Sequence, residues 1–289
     1  MRRTIAELSV YVAAAVAWSL VTALPSDSRA EPAGAADTIH FKAHLEQRAK
    51  GDDRFEEKTI ERGWIPRETA IVICDMWNQH WCRSATRRCG ELALKMAPLL
   101  DRARERGVHI IHCPSDTLTF YRDHPARQRA LALPAATPPS EIGKWCSLEK
   151  SREGSLPIDD SDGGCDCQPQ CRNYQAWTRQ HPAIAIYDND LISDNGQEVY
   201  NYFVQQGIKN VIYVGVHTNM CVLGRSFGIR QMTKLGLNAV LVSDLTDTMY
   251  NPRKSPFVEH AAGTDLVVQH VERHWCPSVT SAALAEGLR

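Results

Sequence analysis

The feature that most limits how this 289-residue chain can fold is a set of short apolar runs that do not alternate with polar residues. Residues 69–75 read TAIVICD, 108–112 VHIIH, 210–216 NVIYVGV and 237–244 LNAVLVSD. A strand with one wet face alternates, whereas a strand covered on both faces is apolar throughout, as in a buried parallel sheet. Between these runs lie segments with helical spacing. Residues 85–106 carry Leu92, Met96, Leu99 and Leu100 and stop at Gly107; residues 196–206 and 220–235 also read as helices. Residues 182–187 (PAIAIY) read as a weaker strand. Parallel strands need long crossovers, usually helical, so the pattern predicts an α/β fold with a mostly parallel sheet and helices on both faces.

The N-terminus follows another rule. Arg2 and Arg3 precede an Ala-rich apolar run over residues 8–24, and Ser28-Arg29-Ala30 offers a small-residue cleavage site. This pattern predicts a secretory signal peptide over residues 1–30. An uncleaved membrane anchor is the rival, because the run is close to the shortest spanning length. Either reading puts the remainder outside the cytoplasm, secreted or periplasmic, where disulfides are permitted. Residues 31–60, polar and Ala-rich, read as an N-terminal arm without a clear strand, leaving 61–289 as one domain. Within it, residues 134–181 break the rhythm. They are rich in Pro, Gly, Ser and acids and hold Cys146, Cys165, Cys167 and Cys171, as a functional lid or a disulfide-held excursion would. The DDSDG stretch at 159–163 misses the calcium-loop pattern, since the twelfth position from Asp160 is Cys171, and reads as a solvated acidic turn. With 33 Lys+Arg against 34 Asp+Glu, the net charge of −1 gives no electrostatic reason to bind nucleic acid. A small-molecule substrate is the expected partner, with no membrane contact after signal cleavage, and a homo-oligomer is compatible with the pattern.

In sheets of this kind, ligands bind beyond the carboxyl ends of the strands. Asp75 closes the first run, just before MWNQH at 76–80. Cys221 lies five residues past Val216 in GVHTNMCV (215–222), where a helix should begin. The helix dipole there would lower the thiol pKa and favour a nucleophilic thiolate. The plainer alternative makes Asp75 a strand-end cap and Cys221 a small buried hydrophobe.

An apolar strand ending in DMWNQ, then GVHTNMCV, then VLVSDLT together resemble the isochorismatase-like cysteine hydrolase superfamily, which includes nicotinamidases, N-carbamoylsarcosine amidase and isochorismatase. The resemblance covers residues 69–248 outside the excursion and is most specific at 215–222. It implies a three-layer α/β sandwich with a six-stranded, mostly parallel sheet. It also implies an Asp–Lys–Cys triad in which the cysteine attacks an amide-type carbonyl and forms a thioester. By that resemblance Cys221 is the nucleophile and Asp75 the base. A non-proline cis peptide falls at Val216-His217, and the amides of His217 and Cys221 form the oxyanion hole. The lysine does not carry over, because the matching stretch IAIYDNDLIS (184–193) holds Asp188 and Asp190 instead. Lys144, from the excursion, is the expected substitute; Lys150, Arg127 and Arg225 are the other cations considered. With none of them in place, the same fold would be a catalytically impaired binding protein. Trp77, His80, Phe120 and Tyr121, with Trp81, are expected to line the substrate pocket. No cofactor is implied. Metal-holding relatives use an Asp-x-His and a further His; here the nearest histidine after Asp75 is His80, and His112 and His124 make no ligand pattern, so no metal is expected.

A competing motif is GRSFG at 224–228, which fits G-x-S-x-G, with Asp244 and His260 or His270 following in α/β-hydrolase order. That elbow needs a strand directly before the serine, and Ser226 comes ten residues after Val216. Of the ten cysteines, Cys74 and Cys113 read as core thiols. Setting them and Cys221 aside leaves an odd number: Cys82, Cys89, Cys146, Cys165, Cys167, Cys171 and Cys276. Cys82 and Cys89 are close enough to bridge. Cys165, Cys167 and Cys171 could gather a soft metal, but an exported chain favours disulfides.

Overall fold

The apolar runs become the middle of one sheet in the computed structural model, which describes residues 38–49 and 54–289. The signal peptide expected over residues 1–30 lies outside the described residues. In chain order the elements are β1 (Ile39–Arg48), β2 (Phe55–Trp64), β3 (Thr69–Cys74), α1 (Arg83–Glu105), β4 (His109–Cys113), α2 (Pro125–Leu131), α3 (Lys150–Glu153) and β5 (Leu191–Ile192). There follow α4 (Gly196–Gln206), β6 (Asn210–Val216), α5 (Ile229–Lys234), β7 (Asn238–Asp247), α6 (His260–His274), β8 (Ser278–Val279) and α7 (Ser281–Gly287). Every residue of β3 and β6 is buried. Alternate side chains leave the sheet in opposite directions. Ile71, Ile73, Ile212 and Val214 pack with α1 and α7, while Val72, Val211 and Tyr213 pack with α4, α5 and α6. No helix among the described residues is long and apolar enough to cross a membrane.

The sheet order is β2-β1-β8-β7-β6-β3-β4-β5. From β8 to β5 all neighbours are parallel, which is the six-stranded sheet expected. Two further strands make the total eight and the sheet mixed, because β1 runs antiparallel to β8 and pairs with β2 from Ile39↔Trp64 to Arg48↔Phe55. Within the arm expected without a strand over residues 31–60, the described residues form most of this hairpin instead. Its signal was present: Ile39, Phe41 and Ala43 are buried while His40, Lys42 and His44 are exposed, the period-two pattern of a half-covered strand.

Two other expectations shift. Residues 182–187 form no strand; the carbonyl of Ala185 accepts from Arg104 Nη2 (2.9 Å) instead of joining a ladder, and the edge strand is β5. The helix expected over 220–235 begins as a π-helical turn, Thr218–Val222, then breaks before α5. Gly228 sits at that break, where a Cβ would lie 2.7 Å from the carbonyl oxygen of Val222.

The excursion is mostly irregular but firmly anchored. Glu153 of α3 is 2% exposed and accepts from Arg230 Nε and Nη2 (2.8 Å each), His270 Nε2 (2.9 Å) and Trp275 Nε1 (2.9 Å). Burial works against its charge, but the bonds from His270 and Arg230 outweigh it and hold the carboxyl far below the usual range.

Candidate active site

The carboxyl ends of β3, β4 and β6 lie side by side, with Cys74 opposite both Cys113 and Gly215. Gly215 is required there: its φ is +108°, and a Cβ would sit 2.0 Å from the carbonyl oxygen of Cys74. Asp75 follows directly and is fully buried. Its φ of +46° lies in the left-handed region, which costs a non-glycine residue about 1–3 kcal/mol and collects at functional sites. The turn aims the carboxylate across the strand ends. Oδ1 accepts from the Ser115 amide (2.8 Å), and Oδ2 accepts from Arg225 Nε (3.2 Å).

Arg225 lies in the break before α5. Its Nη2 also reaches Asp116 (3.2 Å), and the excursion presses it into place. Residue 225 pairs with Trp145, whose ring centroid is 5.9 Å from the guanidinium carbon, and the Cys146 amide donates to the Gly224 carbonyl (2.7 Å). A Cβ on Gly224 would lie 2.4 Å from the Trp145 ring, so a glycine is needed for this approach. Burial opposes the Arg225 charge, but the negative charge of Asp75 leads the influences that more than offset it and keep the guanidinium charged. Lys144, expected as the cation, is exposed beside Trp145; the cation paired with Asp75 is Arg225. Arg127 is taken by Glu198, and Lys150 is exposed on α3.

Cys221 comes from the π-helical turn, and its thiol lies near enough to Asp75 and Arg225 for both to act on its proton affinity. Buried hydroxyls and an amide fix that turn. Thr218 Oγ1 donates to the Asp247 carbonyl (3.0 Å), and Asn219 Nδ2 donates to Asp160 (2.8 Å) and the Met249 carbonyl (3.2 Å). The Val216-His217 peptide is cis, at the position the resemblance implied. The thiol pKa moves opposite to expectation. Burial, then the Asp75 charge, push it well above its ordinary value, and Arg225 only partly counters them. The Asp75 pKa is raised too, by burial first, with Arg225 and Ser115 pulling it back. The resting pair is therefore a thiol beside a carboxylate of raised basicity.

Flanking this pair is a stack of aromatic rings. Trp77 and Trp177 lie 4.2 Å apart and nearly parallel, His80 is 5.8 Å from Trp177, and His217 is 5.0 Å from His80. Trp77 Nε1 donates to the Ser115 carbonyl (3.0 Å). Burial holds His80 neutral at about 4 and His217 at about 3. Three buried polar atoms around this stack and Asp75 have no hydrogen-bond partner: Trp177 Nε1, His217 Nε2 and Ser115 Oγ. Such atoms cost energy unless something else satisfies them, as a bound ligand would. Trp177 belongs to the excursion, and its only signal in the sequence was an aromatic ring in a polar stretch. Phe120 and Tyr121 do other work. Phe120 is exposed under Arg179, and buried Tyr121 accepts the Gln180 amide on its hydroxyl (2.8 Å).

The serine-hydrolase constellation is not assembled. Ser226 Oγ accepts from the Gly196 amide (2.9 Å), and exposed Asp244 caps α7 through Ser281. His260 pairs with Asp247, and His270 with Glu153. The expected disulfides are likewise not formed, since all ten cysteines are free. Cys89 faces Met76 Sδ (3.9 Å) and the Trp77 carbonyl (3.4 Å) rather than Cys82.

No family model matches this chain, and no curated protein does. Solved structures similar to it include a cysteine hydrolase from Pseudomonas syringae pv. phaseolicola 1448A, at 15% identity and a TM-score of 0.47, covering 77% of this chain and 93% of that one. An isochorismatase family protein from Burkholderia thailandensis shows 17% identity and a TM-score of 0.44, covering 77% and 96%. An isochorismatase-like hydrolase from Alkaliphilus metalliredigens shows 17% identity and a TM-score of 0.40, covering 77% and 97%.

Proposed function

We propose that this chain is an exported, isochorismatase-like cysteine hydrolase that cleaves the C–N bond of a small amide-type substrate through a thioester at Cys221. The observation that carries the reading is the Asp75–Arg225 ion pair (3.2 Å) at the strand ends, near enough to the Cys221 thiol for both groups to act on its proton affinity. In the reaction, Asp75 takes the thiol proton as sulfur attacks the substrate carbonyl, so the thiolate exists only when it is used. The amides of His217 and Cys221 receive the developing oxyanion. The amine leaves with the proton from Asp75, and water then opens the thioester, returning a proton to Cys221. Arg225 does the work of the missing lysine, balancing charge while the proton moves between carboxylate and sulfur. That pair supplies the cation whose lack favoured a non-catalytic binding protein.

The aromatic rings of Trp77 and Trp177, with three polar atoms seeking partners, support a flat, polar, small substrate. Export rests on residues 1–30, and the mature chain should begin at Glu31. The test is a panel of small primary amides and N-carbamoyl compounds, read by ammonia release, with Cys221→Ala alongside. Turnover by the natural chain and none by the variant is expected; equal turnover by both would sink the assignment.

A further inference from the structure

Four thiols outside this site converge on one point. Cys82 caps the start of α1, and Cys165, Cys167 and Cys171 reach it from the excursion, with all four Sγ atoms within 4.8 Å of one another. Cys82 and Cys167 are 3.8 Å apart, nearly twice the disulfide bond length of about 2.05 Å. Four sulfurs placed tetrahedrally about 2.3 Å from a zinc ion would stand about 3.8 Å from each other. We propose that Cys82, Cys165, Cys167 and Cys171 bind one soft divalent cation, zinc foremost, as four thiolates.

Hydrogen-bond donors already face three of the four sulfurs, while the Asp166 carboxylate lies 3.7 Å from Cys82 Sγ. The Ser84 amide (3.4 Å) and hydroxyl (3.0 Å) face Cys167, the Arg83 amide donates to Cys171 (3.5 Å), and the Cys171 amide donates to Cys165 (3.5 Å). Two of these donors are first-turn amides of a 23-residue helix, where a negative charge is favoured. Each thiol releases its proton as its sulfur takes the ion. Four thiolates around a 2+ ion leave a net negative charge of about two. Arg253 donates to the carbonyls of Asp166 and Cys167 (3.3 Å each), and Arg88 binds the Asp166 carboxylate (2.8 Å), placing two cations beside the centre.

With four protein ligands the centre is closed and structural. It would fasten the excursion to the start of α1, immediately after the loop carrying Trp77 and His80. The ligands come from chain segments more than eighty residues apart, with Cys82 and Cys167 separated by 85 positions, so the ion would close a long loop.

The test uses the full-length chain, purified under reducing conditions without chelator and titrated with Co²⁺ after metal removal. The expected result is one zinc per chain as isolated, and one cobalt per chain with the intense d–d and sulfur-to-metal bands of a tetrahedral tetrathiolate. The double variant Cys165→Ser/Cys167→Ser should lose that equivalent, while Cys146→Ser, outside the cluster, keeps it. Should the double variant fail to fold, the cobalt spectrum of the natural chain decides alone. A reduced chain that takes up neither ion, or peptide mapping that finds these four cysteines joined in disulfides, overturns the proposal.

Discussion

Cys221 meets a buried carboxylate, whereas Cys167 accepts from the Ser84 amide and faces the Ser84 hydroxyl. The first thiol is pushed up and keeps its proton; the second is brought down to about 6. Helix position does not separate them, because Cys221 lies in an opening helical turn and Cys167 faces the N-terminus of α1. What separates them is the sign of the nearest groups. A cysteine held as thiolate suits permanent ligation, and a protonated one beside a base suits a step in which the proton leaves with the attack. The excursion serves both regions, through Trp145 against Arg225 at one and through Cys165, Cys167 and Cys171 at the other.

The largest effect should come from Cys221→Ala. Amide turnover should fall by about 10⁴-fold or more, as when a covalent nucleophile is removed, while zinc content stays the same. If activity and metal fall together, the two regions are not independent. Glu153→Ala should lower unfolding free energy by about 3–5 kcal/mol in urea denaturation, because it strands the buried guanidinium of Arg230. A change under about 1 kcal/mol would mean that this pair does not anchor the excursion. Arg225→Ala should reduce kcat/KM by about 10²- to 10³-fold, the range for losing one charged group that acts on the reacting atoms. Asp75 must be ionised to act as base, so activity is lost as pH falls through its pKa. That pKa is already raised above 3.8, and removing Arg225 should move the acid limb of kcat/KM higher still. Arg225→Lys should move the limb back, and an unshifted limb in Arg225→Ala would separate the arginine from the base.

The effect that is smallest per pH unit is on stability in acid. His217, facing His80, Arg88, Asp247 and His260, is held at about 3 from an ordinary 6.5. Its folded pKa lies below the unfolded one, so stability is full above pH 6.5 and is lost as pH falls towards 3. The slope is about 1.4 kcal/mol per pH unit for this one group. His217→Gln should flatten the unfolding free energy across that window, measured by urea titration at a series of pH values.

Local pattern carried the parallel sheet far. Residues 69–74, 196–206 and 210–216 adopt the elements their apolar spacing specified, and Asp75 and Cys221 meet because both follow adjacent strands. Pattern failed where partners are distant or the environment decides. Arg225 bonds Asp75 across 150 positions, and nothing local distinguishes it from Lys144. The Cys82 cluster joins α1 to the excursion, so spacing alone left disulfide and metal open. The Cys221 pKa was misjudged because the helix dipole is a weaker influence than burial beside a carboxylate. The alternation of β1 lies in a stretch whose polar composition masks it.

One experiment tests the division between a nucleophilic cysteine and four ligand cysteines most directly. The metal-loaded chain is treated briefly with p-nitrophenyl acetate, digested and mapped by mass spectrometry for hydroxylamine-labile acetyl groups. The account predicts acetyl on Cys221, strongly diminished in Asp75→Asn, and none on Cys82, Cys165, Cys167 or Cys171. Acetyl on Ser226, on the four-cysteine cluster, or equally on Cys221 with and without Asp75 would contradict it.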